Sequence, residues 1–226
     1  MSKIRLAILD DHPIICRSFD IICASEDDLT VAGKFGNSQE LLKWLRINEC
    51  DVLILDYILQ NDEMDGLSLI KCLIARHPNL KILLSTSVDS LAVIRAAYML
   101  GVRGYIAKRE ETPAYLSAIR SVANGQRYIP SHIAGALSQV PVRKFAQNLA
   151  SDMGGGFSKE SFSTKLLTSR EAEVINHFLE GMGIVDIAAK LKLSRKTISG
   201  HKQSAMRKLG IGSDLELFKY RNDIFK

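Results

Sequence analysis

The 226-residue chain has no apolar run of 18 or more residues, so it lacks the length of helix that a bilayer core requires. Its amino terminus, Met1-Ser2-Lys3-Ile4-Arg5-Leu6-Ala7-Ile8-Leu9-Asp10, passes from a short apolar stretch straight into paired aspartates. It does not read as a secretory signal, and a cytoplasmic protein without a membrane partner is expected. Cysteine is scarce. Cys16, Cys23, Cys50 and Cys72 fit neither a zinc-site spacing nor a CxxC redox pair, so they are expected to be four small buried hydrophobes in a reducing compartment. No GxGxxG follows the first apolar run, which argues against a dinucleotide-binding oxidoreductase. No segment repeats. Acid is missing from one stretch in particular: Lys190–Lys208 contains seven Lys or Arg and no Asp or Glu.

The net charge is +5, and it is unevenly spread. Residues 1–130 hold 15 basic and 16 acidic side chains, residues 131–158 two and one, and residues 159–226 thirteen and eight. The excess therefore lies in the last third, where the acid-free run matches the electrostatic footprint of a protein that binds a phosphate backbone.

Short apolar runs alternate with amphipathic stretches over the first 130 residues. Strands are expected at Lys3–Leu9, Leu29–Lys34, Val52–Leu55, Lys81–Ser85 and Gly104–Ala107. Helices are expected at Pro13–Ser25, Ser38–Ile47, Leu67–Arg76, Leu91–Leu100 and Pro113–Asn124. Five β-α units in succession imply an α/β fold, a doubly wound five-stranded parallel sheet with helices on both faces. Ligands bind such sheets beyond the carboxyl ends of the strands.

The residues at those ends are chemically suited to one another. The first strand runs into Asp10-Asp11 and the third into Asp56; the fourth ends in Ser85-Thr86-Ser87 and the fifth in Gly104-Tyr105-Ile106-Ala107-Lys108. Three carboxylates brought together repel unless something neutralises them. A hard divalent cation with oxygen ligands does this, and Mg²⁺ takes a few carboxylates plus water and phosphate oxygens. One carboxylate can then act as nucleophile toward a phosphoryl group, with a hydroxyl and an ammonium to grip its oxygens. A phosphohydrolase using an aspartate nucleophile would need a second Asp two positions on, where this chain has Ile58, so no enzyme is expected.

Asp10-Asp11-His12-Pro13, Asp56, Asp65-Gly66, Thr86, Tyr105 and Lys108 resemble the receiver-domain family from about Lys3 to Gly125. The resemblance implies that Asp56 accepts phosphate. It implies that Asp11 binds Mg²⁺ directly with Asp10 assisting through water, and that Asp56 and the Ile58 main-chain carbonyl complete the metal's protein ligands. Thr86 and Tyr105 would be the switch pair, and Lys108 would bridge to the phosphate. The chain departs from the family pattern in having Leu59-Gln60-Asn61-Asp62-Glu63-Met64 where a Met-Pro-Gly is usual, and Arg109 in place of a common proline.

From Thr168 onward the pattern is helical. Thr168-Ser169-Arg170-Glu171 reads as a capping box, Gly181 and Gly183 as a stop, Ile184–Leu191 as a short second helix, and Ser194–Leu209 as a third that Gly210 ends. Ser213-Asp214-Leu215-Glu216 reads as a second box opening a fourth helix. The very short turn between the second and third helices suits a helix-turn-helix. Leu167-Thr168-Ser169-Arg170-Glu171, Glu173-Val174, Gly181, Ile187-Ala188, Lys190-Leu191, Ser194, Lys196-Thr197-Ile198, His201 and Lys208-Leu209-Gly210 resemble the LuxR/NarL-type DNA-binding domain. The positions that meet base edges in that family match Ser199, Gly200 and Gln203. Lys196, Thr197, Lys202 and Arg207 also fall in the expected DNA-binding set. Lys202 lies near the apolar stripe and is expected to snorkel outward to a phosphate. Leu215, Leu217 and Phe218 are expected to pair two subunits.

Three segments result: a receiver over 1–130, a flexible linker over 131–165 with a short helix near Ile133–Leu137, and a helix-turn-helix domain over 166–226. The expected function is that of a transcription regulator of a two-component system or phosphorelay, controlled by phosphorylation. Its partners are double-stranded DNA, a sensor histidine kinase or phosphotransfer protein, and a second copy or another regulator. The alternative is an auxiliary regulator that acts as a constitutive dimer without phosphorylation.

Overall fold

The structure is a computed structural model and describes residues 3–59, 66–88, 90–138, 167–209, 211–219 and 221. The chain divides into two compact units. The first is built on five parallel strands: β1 (Ile4–Leu9), β2 (Leu29–Phe35), β3 (Val52–Leu55), β4 (Ile82–Thr86) and β5 (Gly104–Ala107), in the order β2-β1-β3-β4-β5. Helices α1 (Pro13–Ala24), α2 (Ser38–Trp44), α3 (Gly66–Arg76), α4 (Leu91–Leu100) and α5 (Thr112–Ala123) alternate with them. Every residue of β3, β4 and β5 is buried, which is why these strands are continuous apolar runs in the sequence rather than alternating ones.

Pairing keeps Leu9 opposite Leu55 and Thr86 opposite Ala107, so the strands finish nearly level at their carboxyl ends. One face of the sheet packs Leu6, Ile8, Ile54, Leu83 and Ile106 against Phe19 and Cys23 of α1 and Tyr115, Ala118, Ile119 and Val122 of α5. The alternate residues Ala7, Leu9, Leu53, Leu55 and Leu84 point to the opposite face and are also buried. Strand order reverses between β1 and β3, so a crevice opens at their carboxyl ends.

Two strand ends differ from the sequence expectation. β2 continues to Phe35, whose ring lies 5.4 Å from that of Trp44, and β4 reaches Thr86, whose carbonyl accepts from the Lys108 backbone N–H. Helix α2 stops at Trp44 rather than Ile47. All four cysteines are free thiols, but only Cys23 is fully buried; Cys16, Cys50 and Cys72 are half-buried. A helix α6 spans Ser131–Ser138, around the place where a short one is expected. Pro141, the Gly154-Gly155-Gly156 triplet and most of the expected linker lie outside the described residues, as do Gln60–Asp65 and Gly210.

The second unit contains α7 (Ser169–Leu179), α8 (Ile184–Leu191), α9 (Arg195–Leu209) and α10 (Asp214–Lys219). Val174, Ile187, Ala188 and Ile198 form its core, with Phe178, Met182, Ile184, Leu191 and Leu193 packed around them. The Thr168–Glu171 capping box is complete. Gly181, at φ +92°, turns the chain after α7, whereas Gly183 is the N-cap of α8 rather than part of the stop. Lys192 ends α8 in the left-handed conformation at φ 53°, and Ser194 Oγ then accepts from the Thr197 N–H at 3.0 Å to start α9. The second box is only half formed: Ser213 Oγ accepts from the Glu216 N–H, but the Glu216 carboxylate turns to the Gly212 N–H.

Candidate functional site

The crevice at the carboxyl ends of β1 and β3 holds Asp10, Asp11 and Asp56. One carboxylate oxygen from each and a ring nitrogen of His12 all lie within 4.8 Å of one another. Asp10 and Asp56 are 3% and 5% exposed. Lys108, from the end of β5, places its Nζ 2.7 Å from Asp10 Oδ2 and 2.7 Å from Asp56 Oδ2, so one ammonium bridges both buried acids. The His12 backbone N–H donates to Asp10 Oδ1 at 2.9 Å, and the His12 ring nitrogen lies 2.8 Å from Asp11 Oδ1. The Ile58 N–H donates to Asp56 Oδ1 at 3.4 Å, which brings the backbone of residue 58 to the acid's rim.

These contacts set the protonation of the site. Burial pushes the Asp56 carboxyl up; the Lys108 ammonium opposes that rise and the Asp10 charge adds to it. Burial alone would lower the Lys108 ammonium, but its bonds to Asp10 and Asp56 outweigh this and raise it. Three carboxylates against one ammonium leave the crevice anionic and rich in oxygen donors. That donor set fits a hard divalent cation of the Mg²⁺ type.

Thr86 and Tyr105 are both buried and meet through the backbone of one residue, Val88. The Val88 N–H donates to Thr86 Oγ1 at 3.1 Å, and the Tyr105 hydroxyl donates to the Val88 carbonyl at 3.3 Å. All the receiver residues singled out in the sequence, Asp65 apart, thus stand at the same edge of the sheet; Asp65 lies outside the described residues.

In the second unit, Lys196, Thr197, Gly200, Gln203 and Arg207 are exposed along α9 and Ser199 is half-buried. Two expectations are corrected. Lys202 does not snorkel to solvent: it is 8% exposed, its Nζ lies 2.7 Å from Asp214 Oδ2, and it sits 3.6 Å above the Phe178 ring. A carboxylate and an aromatic face inside the domain hold the ammonium better than a bare outward rotamer would. Leu217 is fully buried and presents no surface to a second subunit, whereas Leu215 is 80% and Phe218 44% exposed.

Residues 6–120 match the response regulator receiver domain family, and residues 165–220 match the luxR family of bacterial regulatory proteins. This chain is a response regulator of the LuxR type. It is 28% identical to the transcriptional regulatory protein RcsB of Escherichia coli K12 over 225 residues, 99% of this chain and 96% of RcsB. It is 30% identical to the oxygen regulatory protein NreC of Staphylococcus carnosus over 216 residues, 96% of this chain and 95% of NreC. Among solved structures, an RcsB–DNA complex superposes with a TM-score of 0.79 at 28% identity, covering 98% of each chain. RcsB of Salmonella enterica serovar Typhimurium, bound to a promoter in the presence of the phosphomimetic BeF3−, superposes with a TM-score of 0.73, covering 97% of this chain and 98% of that one. The regulator is therefore a transcriptional response regulator with a receiver and a DNA-binding domain, not an enzyme.

Sequence reasoning missed part of the regulator's second unit. Glu171 was expected only as a capping residue. It is 4% exposed and accepts from Ser204 Oγ at 2.8 Å and Lys208 Nζ at 2.7 Å as well as from the Thr168 N–H. It thus ties the start of α7 to α9. The signal was available: Ser204 and Lys208 stand four apart, on one face of a helix.

Proposed function

We propose that Asp56 accepts a phosphoryl group from a sensor histidine kinase or phosphotransfer protein, and that this event governs how the domain over 166–226 engages DNA. The observation that carries this reading is the Lys108 ammonium shared between Asp10 and Asp56 at 2.7 Å each, with a third carboxylate alongside. A carboxylate oxygen of Asp56 attacks phosphorus as the phosphorus–nitrogen bond of a phosphohistidine donor breaks, and the imidazole leaves with the electron pair. Asp10, Asp11, Asp56 and the Ile58 carbonyl would hold Mg²⁺, which when bound supplies positive charge beside the phosphoryl oxygens. Lys108 and the Thr86 hydroxyl bind those oxygens. Because Thr86 and Tyr105 bind the N–H and the carbonyl of the same residue, Val88, a shift of Thr86 toward the phosphoryl group changes the seat of Tyr105.

On DNA, Lys196 and Arg207 serve as phosphate contacts, while Ser199, Gly200 and Gln203 face base edges, with Gln203 able to read adenine with both amide atoms and Gly200 permitting close approach. Thr197 stands at the amino-terminal turn of α9. Leu215 and Phe218 form the subunit contact. RcsB dimers bound to DNA support a homodimer here, and a heterodimer with another regulator uses the same face. The receiver spans 1–130 and the linker 131–165. No helix among the described residues is long and apolar enough to cross a membrane, which is consistent with action in the cytoplasm.

The test is labelling with a small phosphodonor and Mg²⁺. Wild type is labelled and Asp56→Asn is not; equal labelling of the two overturns the assignment.

A further inference from the structure

The end of β4 carries two consecutive hydroxyls, and consecutive residues of a strand point to opposite faces. Thr86 meets the backbone of Val88, the residue whose carbonyl Tyr105 binds. Ser85 goes to the other face, where its Oγ lies 2.8 Å from the Tyr115 hydroxyl of α5. Both residues are buried, at 2% and 9% exposure, in the apolar layer between the sheet, α1 and α5. The Tyr115 ring packs edge-on against Phe19 of α1, with centroids 5.8 Å apart and planes at 72°. A hydroxyl in such a layer is costly unless it is paired, so each hydroxyl holds the other in place. The phosphoacceptor site also bears on this pair electrically. Burial raises the Tyr115 phenol; the Ser85 bond and the Lys108 charge lower it, and the charges of Asp10 and Asp56 raise it.

We propose that Ser85 and Tyr115 are positioning residues of the phosphorylation response: their hydroxyl pair sets the carboxyl end of β4, and with it Thr86, and carries any displacement of that end to α5 and α1. The Thr86–Val88–Tyr105 route serves one side of the strand. The Ser85–Tyr115–Phe19 route serves the other, so a single shift at the end of β4 reaches both layers of helices. This inference rests on the reading of Asp56 as acceptor and Thr86 as phosphoryl-binding group.

The test uses the full chain, a small phosphodonor and Mg²⁺, with two readouts: labelling of Asp56, and hydrogen exchange of peptides from α1, α5 and the α4–β5 region. Tyr115→Phe removes one oxygen and Ser85→Ala the other, so neither alters the shape of the core. Wild type is expected to change exchange in both regions on labelling. Each variant is expected to keep the α4–β5 change, to lose the change in α1 and α5, and to reach the wild-type labelled fraction only at about fivefold more donor, the equivalent of one net hydrogen bond. The double variant goes no further than either single one, because the pair acts as a unit. Labelling of wild type with α1 and α5 silent, or variants that respond there as wild type does, overturns this proposal alone. Absence of labelling on wild-type Asp56 overturns the acceptor reading and this proposal with it.

Discussion

Replacing Glu171 with glutamine removes one negative charge from the base of α9 with almost no change of shape, and the structure fixes what that should cost. Burial pushes the Glu171 carboxyl up, but the bonds from Lys208, the Thr168 backbone and Ser204 outweigh it and hold the group down at about 2, against 4.5 when unperturbed. A folded pKa below the unfolded one means stability that is complete above the unfolded value and lost as pH falls toward the folded value. The window is therefore about pH 4.5 down to about 2. A shift of that size corresponds to about 3 kcal/mol at neutral pH, of which roughly half is left at pH 3. The glutamine side chain would keep one acceptor oxygen but set an amide NH₂ against the Lys208 ammonium, so little of this should be recovered. The assay is hydrogen exchange of α7 and α9 peptides in the full-length chain. At pH 7 the Glu171→Gln variant should open about a hundredfold more often than wild type, and the two should converge as pH is lowered through 4 to 3. Equal opening at pH 7, or a difference that does not shrink on acidification, would refute the assignment of the charge to this network.

Lys196→Ala should weaken binding to any DNA sequence and reduce the salt slope by about one, whereas Lys202→Met should leave the slope unchanged and lower the melting temperature, because its ammonium is spent on Asp214 and Phe178. Leu217→Ala should cost the DNA-binding domain about 2–5 kcal/mol through the cavity it leaves, read as a fall in thermal stability. Leu215→Ala should leave folding untouched and weaken cooperative binding to a duplex with two half-sites. In the receiver, a Cβ on Gly104 would stand 2.8 Å from both Leu83 Cδ1 and Val122 Cγ2, so Gly104→Ala should cost about 1–3 kcal/mol by overpacking, measured by urea unfolding through the fluorescence of the single Trp44.

The receiver was legible because its information is one-dimensional. Val52–Leu55 and Ile82–Leu84 are apolar throughout since both faces of those strands are covered, and the residue that follows a strand in a parallel sheet must stand at its carboxyl edge. Asp10, Asp56 and Lys108 could therefore be brought together from strand ends alone. What stayed hidden depends on a second element reaching back. The helical angle of Lys202 was read correctly as close to the apolar stripe, but the Asp214 that holds it belongs to the next helix. Leu217 and Leu215 are both leucines of one short helix, and their spacing does not say which of them meets its own core. The half-buried state of Cys16, Cys50 and Cys72 has the same cause: small apolar side chains pack wherever the neighbouring element leaves room.

The charge count at the crevice explains why Lys108 belongs at the end of β5 rather than on a mobile loop. Asp10, Asp11 and Asp56 against one ammonium leave two negative charges, the amount that one divalent cation balances. A phosphoryl group on Asp56 would replace a single carboxylate charge with about two, so the loaded site would again be short of positive charge. The Lys108 ammonium, which contacts Asp56 Oδ2 in the unphosphorylated site, is the group placed to turn toward the new oxygens while keeping its bond to Asp10. That exchange needs only a side-chain rotation at a strand end whose backbone is pinned, since the Lys108 N–H is bound to the Thr86 carbonyl. The same hydrogen bond fastens the Lys108 backbone to the residue whose hydroxyl would follow the phosphoryl group. Lys108 can therefore follow the phosphoryl group by side-chain rotation alone, and any backbone displacement is left to the end of β4, where Thr86 and Ser85 stand.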